Sequence, residues 1–112
     1  MGWYVFDGGQ SVGSRGSEAG VIILDEENDA GARVTLERPG RTAPFAITCG
    51  IYGWMVHTHF LETEIEARAA FQDIKAELGR ILELIPQDDD PDLDAKSKTV
   101  IDQLSNLVDR YR

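Results

Sequence analysis

Residues 63–86 constrain the fold more than any other stretch. Thr63-Glu64-Ile65-Glu66 matches a capping box, in which the threonine oxygen takes one free backbone N–H and the Glu66 side chain returns to another. Ala67, Ala70, Phe71, Ile74, Leu78, Ile81, Leu82 and Ile85 then fall on one side at helical spacing, and Pro86 blocks continuation. A helix with one apolar stripe has to lay it on a second apolar layer.

The preceding sixty residues supply that layer as a sheet. Short β-branched or aromatic runs alternate with Gly, Pro and Asn clusters, which is the pattern of hairpins. The reading gives five strands, at about Trp3–Phe6, Val21–Glu26, Ala32–Glu37, Phe45–Ile51 and Trp54–Phe60. The third alternates Ala32, Val34 and Leu36 with Arg33, Thr35 and Glu37, so one face is expected buried and the other wet. Glu27-Asn28-Asp29-Ala30-Gly31 and Arg38-Pro39-Gly40-Arg41 read as hairpin loops, the latter with the Pro-Gly pair of a type II turn.

A two-residue loop at Tyr52-Gly53 would set Thr48 opposite His57 and Cys49 opposite Val56. One face then carries Ile47, Cys49, Ile51, Trp54, Val56 and Phe60, and should be the one the helices cover. The other shows Ala46, Thr48, Met55, His57 and His59.

A second helix is expected from Asp90-Pro91, with the aspartate as cap and Asp92 and Asp94 at the positive end of the dipole. Leu93, Val100, Leu104, Leu107 and Tyr111 continue it, Ile101 and Val108 widen the stripe, and the chain ends inside it. The class is therefore α+β in a single domain, an antiparallel sheet over 1–60 and a helical pair over 61–112, with both helices on one sheet face.

At 112 residues, 42% hydrophobic and 28% charged, the chain can bury one core without metals or staples. Cys49 is a lone cysteine, and Met1-Gly2-Trp3-Tyr4 lacks the basic region and apolar core of a signal peptide, so a cytoplasmic protein is expected. No apolar run reaches the ~20 residues that cross a bilayer. A net charge of −9 repels phosphate backbones and anionic membranes and permits a basic partner. Arg15, Arg33, Arg38 and Arg41 in the sheet half face seven acidic groups there, which ranks nucleic-acid binding last.

Motifs for chemistry are sparse. Gly8-Gly9-Gln10-Ser11-Val12-Gly13-Ser14-Arg15-Gly16-Ser17 suggests an anion loop with one arginine, but no Walker lysine or helix follows it, and it reads as a mobile surface loop. His57 and His59 lie on one strand face about 7 Å apart, with no third metal ligand in view. They are read as wet or at a subunit contact, since helices packed on the opposite face leave theirs free for a dimer. Cys49 among apolar neighbours is a poor nucleophile. Asp88, Asp90, Asp92 and Asp94 alternate as calcium loops do, but Leu93 and Thr99 stand where glycine and glutamate are required. Tyr52, Trp54 and Met55 form an apolar hairpin tip of the kind that anchors interfaces.

No catalytic residue, metal or cofactor is assigned. The favoured expectation is a non-enzymatic interaction or regulatory protein that self-associates as a homodimer or meets a basic protein. The alternative is a small-molecule or metal-binding protein, an enzyme among the options, that uses His57, His59 and Arg15, with the Gly-rich segment as a lid.

Overall fold

Strands β1 (Trp3–Val5), β2 (Val21–Asn28), β3 (Ala32–Arg38), β4 (Phe45–Ile51) and β5 (Met55–Leu61) form one antiparallel sheet in sequence order, followed by helices α1 (Glu64–Leu82) and α2 (Leu93–Arg110). The computed structural model describes residues 2–39 and 41–112. Gly40, half of the expected Pro-Gly turn, and Met1 lie outside them.

The first helix starts where its cap places it. The Glu66 N–H donates to Thr63 Oγ1 at 3.2 Å, and the threonine hydroxyl donates in turn to the Glu66 carboxylate at 3.0 Å. Ala67, Ala70, Phe71, Ile74, Leu78, Ile81 and Leu82 are all buried. They pack on Val34 and Leu36 of β3 and on Ile47, Cys49 and Ile51 of β4, each worth roughly 1.5–3 kcal/mol for the larger side chains. Lys75 of α1 ties β2 down through Glu26 at 2.7 Å, its ammonium 5.8 Å from the Trp3 ring. Among the described residues, no helix is long and apolar enough to cross a membrane.

The second helix begins two residues later than its sequence suggests. Asp90 accepts the Asp92 N–H at 2.7 Å and the Lys96 ammonium at 2.7 Å, which closes a turn before the helix. Its inner face, Val100, Leu104 and Leu107, is buried, Ile101 is exposed, and the helix stops at Arg110, short of the chain end.

The β4–β5 register differs from the expected one, and the difference changes which layer the histidines join. The connection is three residues long, Tyr52-Gly53-Trp54, closed by the Trp54 N–H on the Ile51 carbonyl at 2.9 Å, with Gly53 at φ 82°. Cys49 consequently opposes His57, and Thr48 opposes Thr58. One extra loop residue turns every β5 side chain over. Met55, His57, His59 and Leu61 therefore share the helix-covered face with Ile47, Cys49 and Ile51, while Val56, Thr58 and Phe60 lie on the open face. The expected apolar set containing Val56 and Phe60 is overturned, and so is a dimer across a free His57 face.

A second irregularity lies in β2. Ile22 opposes Glu37 and Leu24 opposes Leu36, so Ile23 is an extra residue, a β-bulge. The bulge lets Leu24 face the helices while Ile22 faces the other way.

Candidate functional site

The open face of the sheet is not the wet surface its alternation implies. Phe6 to Gly20 folds back across it. Asp7, Gly8, Gly9 and Gly13 take positive φ, from 51° to 93°, and turn the chain around. The Gly13 N–H then donates to the Ile22 carbonyl at 2.8 Å and the Ile22 N–H to the Ser14 carbonyl at 2.9 Å, a small hairpin on the head of β2.

The tip of that hairpin is held by a buried acid. Glu37, 1% exposed, accepts the Gly20 N–H at 2.7 Å and the Glu18 N–H at 3.1 and 3.2 Å. A side chain at residue 16 would collide with the Glu37 carboxylate, and one at residue 20 would meet the Pro39 carbonyl oxygen at 2.8 Å, so both positions have to be glycine. Ser17 reaches β4, its hydroxyl 3.2 Å from that of Thr48. The Gly-rich segment is thus a built roof with its own hydrogen bonds.

Beside it, Asp25 is 2% exposed and fully engaged. Arg33 grips it with Nε at 2.9 Å and Nη2 at 2.7 Å, and the Thr35 hydroxyl donates to it at 3.1 Å. The guanidinium lies 3.6 Å above the centre of the Phe6 ring, which seals the other side. Glu27 accepts both the Tyr52 hydroxyl at 2.6 Å and the Tyr4 hydroxyl at 2.8 Å. The Tyr52 and Tyr4 bonds hold its carboxyl below the usual glutamate range. Its bond pushes the Tyr4 hydroxyl up, while burial and the same carboxylate push up Tyr52.

Between roof and sheet lies a cleft of about 690 Å³. Thr35, Thr48, Gly50 and Val56 lie along its floor strands, Arg15 and Ser17 on the roof side, and Arg33, Tyr52 and Trp54 toward the hairpin. Gly50 contributes depth, because the Met55 carbonyl oxygen leaves no room for a side chain there. Arg15 donates to the Ala19 carbonyl at 3.1 Å and has no carboxylate partner among the described residues, whereas Arg33 is committed to Asp25.

The residues singled out from sequence divide between two layers. Arg15 and the aromatic hairpin, Tyr52, Trp54 and Met55, all line the cleft. His57 and His59 sit beneath the sheet, where Nε2 of His57 donates to the Tyr111 carbonyl at 2.6 Å and Nδ1 of His59 lies 3.2 Å from the Arg112 carbonyl oxygen. The His59 ring also meets Tyr111 edge-on at 5.4 Å, so both imidazoles, half-buried, fasten the chain after α2 to β5. Among the described residues no three His, Cys, Asp or Glu side chains cluster as metal ligands. Cys49 shares the His57 face after all, but burial pushes its thiol up to about 12, which makes it a poor nucleophile.

Asp25, Glu37 and Arg33 were not foreseen as site builders. In a strand that alternates apolar and charged residues, the charges read as solvent-facing, and only the bare glycines at 16 and 20 hint that something approaches closely. No family model, curated protein or solved structure matches the chain.

Proposed function

We propose that the chain is a non-catalytic binding module whose site is the cleft under the Gly-rich roof, and that it takes a compact amphipathic molecule with an apolar body and one anionic group. The observation that carries this reading is the cleft itself. Its volume of about 690 Å³ lies within the roughly 300–1,000 Å³ of small-molecule sites. Ile22, Tyr52, Trp54 and Val56 offer apolar contact, and Arg15 is the cation at the rim still able to take up a carboxylate, sulfonate or phosphate oxygen.

Binding is favoured over catalysis because the polar groups are already spent. Thr35 and Arg33 serve Asp25, Tyr52 serves Glu27, and Ser17 faces Thr48. The imidazoles and the thiol belong to the other layer. A basic protein partner rests on net charge alone, which speaks to association and not to task.

The test uses 8-anilinonaphthalene-1-sulfonate, an aromatic anion, titrated into the folded protein and followed by its fluorescence. Saturable binding is expected, weakened roughly tenfold by Arg15→Ala, the scale of a lost charge-assisted hydrogen bond. Thr48→Trp, which fills the floor, should remove it. Fluorescence that never saturates, or that ignores both substitutions, would sink the reading.

A further inference from the structure

The two edges of the sheet are not alike. β1 is three residues long, whereas β5 offers seven, Met55 to Leu61, with strand pairing on one side only. Edge strands of that length are ordinarily blunted by lysine, proline, a bulge or an inward charge. β5 has none of these, and it carries no Asp, Glu, Lys or Arg in a chain whose net charge is −9. It also exposes apolar surface, Val56 at 76% and Phe60 at 38%, both on the open face.

We propose that β5 pairs with β5 of a second copy of this chain, antiparallel about a two-fold axis through Thr58. The occupant follows from charge and from symmetry. A net charge of −9 makes two copies repel on average, and β5, with no charged side chain, is a stretch along which a second copy can approach without adding to that repulsion. In an antiparallel pair centred on Thr58, Val56 faces the partner's Phe60 and Phe60 faces the partner's Val56, so one apolar match is made twice, as an isologous contact requires. The two threonines meet on the axis, and the two sheets become one of ten strands.

This arrangement bears on the cleft without depending on what the cleft holds. Val56 lines the cleft and is largely exposed in a single copy. The partner's Phe60 covers it, so each copy finishes the other's cavity wall. Seven residues a side is well below the ~20–30 of a standard interface, which places self-association in the micromolar class.

Sedimentation velocity on the full chain, from low micromolar to sub-millimolar concentration, should show a monomer giving way to a dimer. Val56→Lys and Phe60→Glu should each weaken the dimer roughly tenfold, because each sets a charge against an apolar partner at two symmetric places. The double variant should regain it, since Lys at 56 then meets Glu at 60 of the partner. As Phe60 is partly buried, Thr58→Cys gives a second reading that needs no charge. Only that position opposes itself, so it should form an intermolecular disulfide on mild oxidation, and Val56→Cys should not. A chain monomeric at every concentration overturns the proposal. So does a dimer indifferent to both single charges, a double variant no better than the singles, or cross-linking at 56 as readily as at 58.

Discussion

At the scale of single residues, the most consequential group is Glu37. It was expected in water and is instead sealed beneath the roof, with its oxygens turned to the backbone N–H groups of Glu18 and Gly20. A hydrogen bond to a charged acceptor contributes about 1.5–3 kcal/mol, and an orphaned buried donor costs a similar amount. Glu37→Ala is therefore expected to lower stability by about 2–4 kcal/mol. It should also free the roof selectively: in amide exchange, Glu18 and Gly20 should lose protection while Val34 and Leu36 on the same strand keep theirs. Uniform loss across the sheet would show that Glu37 supports the fold and not the roof in particular.

At the scale of elements, the β4–β5 hairpin decides which chemistry is possible. Directly opposed residues on antiparallel strands have Cα atoms about 4.5–5.5 Å apart, a span a disulfide can bridge. His57→Cys is thus expected to lose its free thiols on oxidation by bonding to Cys49, whereas Val56→Cys should keep the Cys49 thiol free. The outcome reads the register without a crystal. It also explains what the sequence could and could not convey. Capping at Thr63 and the apolar stripe from Ala67 are local signals, and α1 follows them as far as Leu82, stopping short of Ile85, the last residue of the expected stripe. The order of elements and the alternation in β3 were equally legible. Tyr52-Gly53-Trp54 was not, because a two-residue and a three-residue loop both satisfy a Tyr-Gly pair between apolar runs, and the choice depends on which β5 residues the helices can bury. The cleft was half legible: Arg15, Tyr52, Trp54 and Met55 were all picked out, but for different reasons, and nothing local announced that the Gly-rich segment would bring them around one space.

At the scale of the whole molecule, Glu27 links three parts of the chain, since Tyr4 brings β1 and Tyr52 brings the hairpin to the same carboxylate. Its lowered pKa contributes stability that is present above the ordinary 4.5 and lost as pH falls through the lower folded value. Raised values at Tyr4 and Tyr52 contribute stability that is present below 10.0 and lost as pH rises through the higher folded values. Glu64 and Asp90, lowered by Arg68 and Lys96, add to the acid side. The thermal unfolding midpoint should accordingly fall at both ends of the scale. The gap between the native chain and Tyr52→Phe should be widest between 4.5 and 10.0 and should close outside those limits. A gap that stays constant with pH would mean that the phenol serves through packing and not through its bond to Glu27.

The roof is tied to the sheet chiefly by main-chain amides and carbonyls meeting Glu37 and Ile22, and glycine is demanded by close contact at 16 and 20 and by positive φ at 8, 9 and 13. Arg15 and Ser17 are exposed and line the cleft. Each makes a single side-chain hydrogen bond, Arg15 to the Ala19 carbonyl and Ser17 to Thr48, so what the cavity prefers can be rewritten at them while the main-chain ties of the scaffold stay as they are. Selectivity and stability are inscribed in different atoms of the same short segment, and each is free to drift without erasing the other.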